Sequence, residues 1–313
     1  MVNSKNLTFG KCLSLWLEKK SLEIRPNTLL SYHVTANSSI MPALGNIDVS
    51  ELTRQQVQEY FVSLKKRGIT VNTMRKHMVI IRGTLEDALI DGIVSSNVAD
   101  HVKLPRKEKF EGCALSEADA RNLMLCIEKE SEPIRSAVTL ALIYGLRRSE
   151  ICGLRWKDID FSDKTIQICN TYTEYGGKKF EMERTKSRAS RRTLFLIDRT
   201  IEYFQSLQYQ QLLKGFELDK VCRHSDGSTV QPEYLTRAVK AFLIKCGYEN
   251  IRLHDLRHTA ASLLARRLPI KNVQIFLGHE DVSTTLNIYA HITDADRIIT
   301  AQTMNAILLS VPQ

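Results

Sequence analysis

Residues 144–159 read YGLRRSEICGLRWKDI and mark a change of pattern along this chain. Before them, helical spacing runs from a capped start near Leu115 to about Tyr144. After them, β-branched runs at residues 165–168 and 193–196 flank a polar stretch, which predicts a small sheet or an extended hairpin. Helical patterns return from residue 201 to the end. The sequence therefore predicts a mainly α protein with a small β-sheet.

The first hundred residues also predict helices. Leu13 and Trp16 share one face of a helix over Phe9–Lys20, and Pro26 can start a second helix. Thr53 can cap a third helix over residues 54–66, before a longer helix over residues 70–90. The expected core positions of the longer helix are Met74, Met78, Ile81, Leu85 and Leu89. A charged segment after Pro105 predicts a linker at residues 107–112, which separates a domain of residues 1–106 from one of residues 113–313.

Composition narrows the class of protein. A length of 313 residues favours two domains, and a formal net charge of +9 allows an anionic partner. Residues 1–106 carry 14 Lys and Arg against 9 Asp and Glu, so the excess is denser there. No window is apolar enough to span a bilayer, and the polar N-terminus lacks a signal core. Seven scattered cysteines form no C-x-x-C pair, so neither a disulfide framework nor a zinc site is expected, and a reducing cytoplasm fits.

Four short motifs carry the candidate chemistry. The first is GLRRSE within the quoted stretch, and the second is ERTKS, just before the second β-branched run. The third is HDLRHT, and the fourth is LGH, which a tyrosine follows ten residues after the histidine. Any one of these motifs recurs by chance, but the four together in this order form a strong signal. Their candidate residues are Arg147, Lys186, His254, Arg257, His279 and Tyr289.

With these motifs, nearly the whole chain resembles the tyrosine recombinase, or phage integrase, family. The resemblance implies two domains that clamp duplex DNA: a helical, SAM-like core-binding domain at residues 1–106 and an α+β catalytic domain at residues 113–313. It implies that the six candidate residues match the family's catalytic set one by one, with Tyr289 as the nucleophile. The implied activity is site-specific DNA recombination through a 3′-phosphotyrosyl intermediate, for the integration or excision of a phage or another mobile element.

The chemistry of this transesterification explains the residue types. A tyrosine hydroxyl has an unperturbed pKa of ~10 and needs a base or a cationic neighbourhood to attack at neutral pH. His254 is the expected proton acceptor for Tyr289. Arg147 and Arg257 suit the non-bridging phosphate oxygens, because each guanidinium donates two hydrogen bonds and keeps its charge.

The leaving 5′-oxygen needs a proton donor. Lys186 is the expected general acid, and the like charges of Arg184 and Arg188 can lower its pKa. His279 is expected to donate a hydrogen bond to the scissile phosphate. Since these groups supply the positive charge and the hydrogen bonds, we expect neither a metal ion nor another cofactor, and magnesium should be dispensable.

Further basic residues are candidates for contacts with DNA phosphates. Each N-terminal residue alone fits a solvated surface slightly better, but as a group on two helices they favour DNA. The run around the second motif is typical of a solvated or phosphate-contacting face. The N-terminal candidates are Lys65, Lys66, Arg67, Arg75, Lys76 and Arg82, and those around the second motif are Arg184, Arg188, Arg191 and Arg192.

Other residues near the motifs have competing interpretations. Glu150 either orients Arg147 through an i,i+3 contact or is solvated, and the sequence leaves both open. Trp156 and Asp158 are expected to pack and to cap rather than to catalyse. His258, beside the third motif, is expected to be structural or exposed.

The expected partners are double-stranded DNA and further copies of this chain. The family resemblance implies a homotetramer on paired DNA sites, in which a C-terminal helix within residues 294–309 docks on the neighbouring subunit. The alternative is a helix packed on its own domain. Accessory DNA-bending or directionality proteins fit this scheme. The chain begins almost directly at the core-binding helices, so either the recombinase lacks the arm-binding domain of some family members or the sequence is truncated.

Three other activities stay open. Xer-type resolution of multimers uses the same chemistry as integration, and a type IB-like topoisomerase shares the nucleophile and the cationic pocket without exchanging partners. A DNA-binding regulator on the same fold needs no catalytic set, and the complete set argues against it. A metal nuclease is disfavoured because the motifs hold no carboxylate cluster for two ions. The expected place of action is the DNA in a bacterial cytoplasm, away from any membrane.

Overall fold

The computed structural model describes residues 7–106, 113–175, 177–182, 191–217 and 219–278. Helices predominate, and the chain divides into two compact units, Met1–Phe110 and Glu111–Gln313. Within the described ranges, no helix combines the length and the apolar character that crossing a bilayer requires.

The N-terminal unit consists of helices. Threonine side chains at positions 8, 53 and 70 accept hydrogen bonds from first-turn backbone N–H groups, which satisfies donors that have no partner within the helix. The described part of this unit, residues 7–106, contains α1 (Phe9–Lys20), α2 (Pro26–Thr35), α3 (Met41–Leu44), α4 (Arg54–Lys66) and α5 (Val71–Ile90). A 3₁₀ turn follows at Val98–His101. The expected helices at residues 9–20 and 54–66 are confirmed.

The second predicted helix is longer than expected. A π-helical turn at Ala36–Ile40 joins α2 directly to α3, so the helical path runs from Pro26 to Leu44. Such a turn places one extra residue between hydrogen-bonded groups and has no distinctive composition, so the apolar periodicity did not reveal it.

The core of the N-terminal unit lies largely between α1 and α5. Trp16 packs onto Gly83, where an added Cβ would lie 2.6 Å from the indole ring. The buried face of α5 differs in part from the prediction: Met78 is only partly buried, whereas Ile80 is fully buried. His77 also lies on this face, where its Nδ1 is 2.6 Å from the hydroxyl of Tyr60.

The C-terminal unit contains seven described helices and five strands. The helices are α6 (Glu117–Ile127), α7 (Ile134–Tyr144), α8 (Arg148–Gly153), α9 (Asp198–Leu213), α10 (Pro232–Lys245), α11 (Leu253–Ala265) and α12 (Ile270–Leu277). The strands are β1 (Ile159–Asp160), β2 (Thr165–Ile168), β3 (Thr171–Tyr175), β4 (Lys178–Met182) and β5 (Arg192–Phe195). The mainly α prediction with a small sheet is confirmed.

The strands form two separate sheets instead of one. Strands β1, β2 and β5 form an antiparallel sheet in that order, in which Ile166 pairs with Leu194 and Ile168 pairs with Arg192. Strands β3 and β4 form their own antiparallel hairpin within the polar stretch. Register matters here, because the pairing of Ile168 with Arg192 puts the Arg192 side chain on the buried face of β5.

Helix α7 lies at the centre of this unit and packs against α6, α8, α10 and α11. Seven consecutive residues from Ser136 to Leu142 are buried, which explains why its sequence is apolar on every side. The buried Trp156 donates from Nε1 to Gln211 at 2.9 Å, and Asp158 accepts from the backbone N–H of Arg155 at 3.3 Å. Trp156 and Asp158 therefore pack and cap, as expected.

Candidate active site

Arg147 lies in the short connection between α7 and α8. Gly145 ends α7 in the left-handed conformation at φ 62°, and an added Cβ there would lie 2.6 Å from a methyl group of Leu277. Arg147 is the N-cap of α8 with extended backbone, and its N–H donates to Oε2 of Glu150 at 2.9 Å. This glutamate occupies the third position of α8, from which a side chain can reach back to the N-cap.

Glu150 joins three arginines in the interior of the C-terminal unit. Its side chain is 2% exposed and accepts from Nη1 of Arg147 at 2.8 Å. Arg192 donates to both carboxylate oxygens, at 3.2 and 3.0 Å, and Nη1 of Arg257 lies 4.0 Å away. Burial opposes ionisation of this carboxyl, but the charges and hydrogen bonds of Arg192, with the charges of Arg147 and Arg257, hold its pKa below the ordinary value. Of the two interpretations of Glu150, the structure supports contact with Arg147.

Arg257 is buried on the inner face of α11. Its guanidinium donates to the carbonyl of Gly145 at the end of α7 and to the carbonyl of Leu277 at the end of α12, the latter at 2.7 Å. Burial and the neighbouring charges of Arg147 and Arg192 lower its pKa to about 9, so it stays cationic at neutral pH.

Arg147 and Arg257 both donate hydrogen bonds to backbone carbonyls at the C-terminal end of α12. Arg147 donates from Nη2 to the carbonyl of Gly278 at 3.1 Å, next to the Leu277 carbonyl that Arg257 contacts. The last carbonyls of a helix have no partner within the helix and carry partial negative charge, so guanidinium groups satisfy them well. His279 follows Gly278 in the sequence but lies outside the described residues.

His254 occupies the first turn of α11 on the same side of the unit. Its ring lies 4.8 Å from the ring of His258 at an interplanar angle of 89°. His254 is exposed on the surface, yet desolvation by the surrounding atoms, followed by the charges of His258 and Arg257, lowers its pKa to about 4. The imidazole is therefore neutral at physiological pH and can accept a proton. His258 is half-buried and contacts His254, which fits the structural role expected for it.

The two arginines that precede or begin β5 differ in their surroundings. Arg191 is exposed, as a candidate for DNA contact should be. The prediction that Arg192 contacts DNA is wrong, because its side chain is 3% exposed and bonds Glu150. In a run of basic residues the sequence gives no sign of which one points inward, and here the strand register decides it.

The N-terminal candidates for DNA contact lie on the surface, with two qualifications. The side chain of Lys76 is half-buried and donates to the Ser31 hydroxyl at 3.1 Å. Arg82 is exposed, but its Nε lies 2.7 Å from a carboxylate oxygen of Asp100. The remaining candidates are exposed, and these are Lys65, Lys66, Arg67 and Arg75.

Several expected site residues lie outside the described residues, and these are Arg184, Lys186, Arg188, His279 and Tyr289. The described geometry therefore joins Arg147 and Arg257 with two residues that the motifs did not assign to catalysis, Glu150 and Arg192. His254 lies close enough for the charges of both catalytic arginines to help lower its pKa. The motif spacing gave a signal for Glu150, three residues after Arg147, but none for Arg192. In the described ranges, no group of three His, Cys, Asp or Glu side chains could hold a metal ion.

Comparison with known proteins extends over the whole chain. A curated relative named tyrosine recombinase XerC-like, from Caldanaerobacter subterraneus subsp. tengcongensis, is 24% identical and covers 98% of this chain and 85% of its own length. The ICEBs1 integrase of Bacillus subtilis is also 24% identical, over 92% of this chain and 80% of its own length.

Solved structures show the same fold. The Tn1549 transposon integrase, determined with transposon right end DNA, superposes with a TM-score of 0.82 at 18% identity and covers 96% of this chain and all of its own. A lambda integrase tetramer bound to a Holliday junction superposes with a TM-score of 0.67 at 16% identity, over 90% of this chain and 78% of that one.

Two family models match the chain in the order of its units. The N-terminal SAM-like domain of phage integrases matches residues 8–65, and the phage integrase family matches residues 114–296. The second match alone spans more than half of the chain and contains all four motifs. This chain belongs to the phage integrase family and is a site-specific recombinase of the tyrosine type.

Proposed function

We propose that this protein cleaves and rejoins DNA strands with Tyr289 as the nucleophile and integrates or excises a mobile element. The observation that carries the proposal is the cluster of Arg147, Arg192 and Arg257 around the single carboxylate of Glu150. Among the described side chains, these three guanidinium groups face one carboxylate, so positive charge predominates there. A pentacoordinate phosphate, which carries two charged non-bridging oxygens, is the kind of group that such an excess stabilises.

Arg147 and Arg257 are the proposed phosphate ligands. The side chain of Arg147 is one third exposed, so its guanidinium can reach a bound phosphate while it bonds Glu150 and the Gly278 carbonyl. Arg257 donates to two backbone carbonyls and is buried, so its positive charge would stabilise the bound phosphate from the interior of the unit. Preorganised donors of this kind are typically worth about a hundredfold or more in rate each.

His254 is the proposed proton acceptor. Its lowered pKa keeps the imidazole neutral, so a ring nitrogen can take the proton of Tyr289, whose own pKa the charges of Arg147 and Arg257 would lower, as the Oη attacks phosphorus. The bond from phosphorus to the 5′-oxygen then breaks, and Lys186 gives that oxygen its proton. Attack by another 5′-hydroxyl on the 3′-phosphotyrosyl bond reverses these steps and releases Tyr289, so no external energy source is consumed.

The biological setting is proposed from the relatives. The ICEBs1 integrase favours a mobile element, whereas relatives named XerC keep multimer resolution as the second candidate. We place the reaction on DNA in a bacterial cytoplasm, in a homotetramer on paired sites with accessory DNA-bending or directionality proteins. The segment expected to dock on the neighbouring subunit, residues 294–309, lies outside the described residues. Residues 1–106 would form the core-binding domain, residues 107–112 the linker and residues 113–313 the catalytic domain.

The test uses a supercoiled plasmid that carries the DNA flanking this gene. Wild-type protein and the Tyr289→Phe variant are incubated with it in excess chelator, stopped with detergent and analysed for DNA bound covalently to protein. We expect an adduct with wild type alone, and sequencing its free end gives the cleavage site. Equal adducts from both proteins would contradict the assignment of Tyr289. A two-site plasmid separates the activities, because a recombinase exchanges the sites whereas a topoisomerase only relaxes the DNA.

A further inference from the structure

Arg192 is a buried arginine with no part in the proposed chemistry. It is the first residue of β5, pairs with Ile168 of β2, and turns its side chain into the unit, where 3% of it is exposed. Both of its terminal nitrogens donate to Glu150, at 3.2 and 3.0 Å. This is the two-pronged geometry that fixes a carboxylate most firmly.

Fold stability does not account for this arrangement. A buried ion pair gains little over a well-packed apolar pair, because desolvation offsets the attraction. Arg192 also adds a third cation beside Arg147 and Arg257, and its charge helps to lower the pKa of Arg257. Repulsion among the three guanidinium groups offsets part of what the bonds to Glu150 add to stability, which leaves room for a purpose beyond stability.

The two carboxylate oxygens of Glu150, each of which bonds both Arg147 and Arg192, indicate that purpose. Oε1 of Glu150 accepts from Nη1 of Arg147 and Nη1 of Arg192, while Oε2 accepts from the Arg147 backbone and Nη2 of Arg192. Arg192 thus holds the carboxylate from the inner side while Arg147 contacts it from the outer side. Without Arg192, the carboxylate can turn toward Arg257, whose Nη1 is already 4.0 Å from Oε2.

We propose that Arg192 is a positioning residue for DNA cleavage, which orients Glu150 so that Arg147 presents its guanidinium to the scissile phosphate. This inference rests on the proposed function, in which Arg147 neutralises a non-bridging oxygen. Arg192 itself does not touch DNA. Because Arg192 acts through Arg147, its effect on the cleavage rate should depend on whether the phosphate that Arg147 contacts is charged.

The test compares two linkages at the cleavage site mapped by the adduct experiment. One DNA carries the normal phosphodiester, and the other carries a methylphosphonate, in which a methyl group replaces one non-bridging oxygen and removes the charge. Single-turnover cleavage is measured for wild type, Arg147→Ala, Arg192→Met, Arg192→Lys and the matched control Arg199→Met. The control removes the same charge from an arginine of the same unit whose side chain is 60% exposed and pairs with Glu128.

We expect Arg192→Met to slow cleavage of the phosphodiester about a hundredfold, as for a lost transition-state donor, and cleavage of the methylphosphonate much less. Arg147→Ala should show the same dependence on linkage, and Arg199→Met should resemble wild type on both. Arg192→Lys keeps the charge but not the two-pronged contact, so its rate of phosphodiester cleavage should lie between those of wild type and Arg192→Met. This variant replaces Arg192→Met in the comparison if the methionine variant does not fold.

If Arg192→Met slows cleavage of both linkages equally, the positioning role is overturned and a structural role is left. The same holds if Arg192→Lys cleaves both linkages at the wild-type rate. Failure of the proposed function looks different. In that case wild type forms no adduct, or Arg147→Ala loses equally on both linkages, and the role of Arg192 falls with it.

Discussion

Glu150 shows how one buried residue can organise a cationic site. Three guanidinium groups surround a carboxylate that is 2% exposed, and the nearest of them contact it at 2.8–3.2 Å. Without the carboxylate, nothing among these side chains would compensate the three buried or partly buried charges. Its contribution is therefore to let Arg147, Arg192 and Arg257 lie together in the interior of the C-terminal unit.

The first prediction concerns the loss of this charge. Glu150→Gln should lower the free energy of unfolding by about 3–5 kcal/mol, because removing one partner leaves buried cations uncompensated. Glu117→Gln is the matched control, since Glu117 also pairs with two arginines, Arg121 and Arg267, but is 39% exposed. Its cost should stay within about 1 kcal/mol. Urea denaturation of both variants checks this, and equal costs would contradict the view that burial makes Glu150 decisive.

The second prediction concerns His77 in the N-terminal unit. Desolvation, with the charges of Lys76 and Arg67, lowers the pKa of this buried imidazole to about 4, from 6.5 in the unfolded chain. The unfolded state therefore binds more protons between these values, and the stability that the neutral ring contributes above pH ~6.5 is lost as the pH falls toward ~4. Between pH ~7 and ~5, this single group should cost about 2 kcal/mol.

The measurement is the free energy of unfolding of the full chain at both pH values, for wild type and His77→Gln. Glutamine can still bond the Tyr60 hydroxyl but does not titrate. The variant should therefore show a decrease in stability on acidification that is smaller by about 2 kcal/mol. If both proteins lose the same amount, the pH dependence comes from other groups and the imidazole is not held neutral by folding.

At the scale of elements, the site is built where helices end. The end of α7 supplies the Gly145 carbonyl to Arg257, the end of α12 supplies carbonyls to both arginines, and the start of α8 carries Arg147. Backbone groups at helix ends lack partners within the helix, so this meeting point offers hydrogen bonds that side chains can use. The geometry of the chain at Gly145 therefore affects the position of Arg257.

The third prediction tests that dependence with Gly145→Ala. Gly247→Ala is the matched control, because both glycines follow a helix of the same unit and have positive φ, 62° at Gly145 and 86° at Gly247. They differ in their surroundings: an added Cβ at Gly145 would lie 2.6 Å from Leu277, whereas one at Gly247 would contact nothing within 4 Å. Gly247→Ala should cost about 1 kcal/mol from backbone strain alone. Gly145→Ala should cost clearly more and should also slow adduct formation, since the Arg257 contact shifts. Thermal unfolding and the adduct assay check both, and equal behaviour of the two variants would contradict this link.

These cases show which features can be predicted from sequence. Helix α4 could be predicted to the residue, because Thr53 and Gln56 form a capping box and Gly68 follows the last turn. The π-helical turn at Ala36–Ile40 could not, since hydrogen bonds there change without a change in apolar spacing. The motifs predicted Arg147 and Arg257, whereas the role of Arg192 depends on Glu150, 42 residues away. Long-range pairing of this kind leaves no local pattern.

At the scale of the whole molecule, the net charge of +9 gives DNA a general attraction, but its distribution decides where DNA binds. Lys65, Lys66 and Arg67 are exposed at the end of α4. A second interpretation competes there, because cations in the last turn also stabilise a helix through its dipole. The two interpretations differ in what salt does to DNA binding, since only a phosphate contact releases a bound counterion.

The last prediction uses that difference in the full-length protein. Replacing Lys65, Lys66 and Arg67 together by alanine should weaken binding to duplex DNA and make the slope of log affinity against log salt shallower by about 3, since each phosphate contact contributes about 0.9. The matched control replaces Lys11, Lys129 and Lys214, three exposed lysines elsewhere, so both variants fall from a net charge of +9 to +6. Fluorescence anisotropy over a salt series measures both slopes. If the two triple variants change the slope equally, the affinity reflects overall charge, and the end of α4 is not a phosphate-binding site. If only the first variant changes it, this surface contacts the DNA backbone, and the three cations act on DNA and not merely on the helix that carries them.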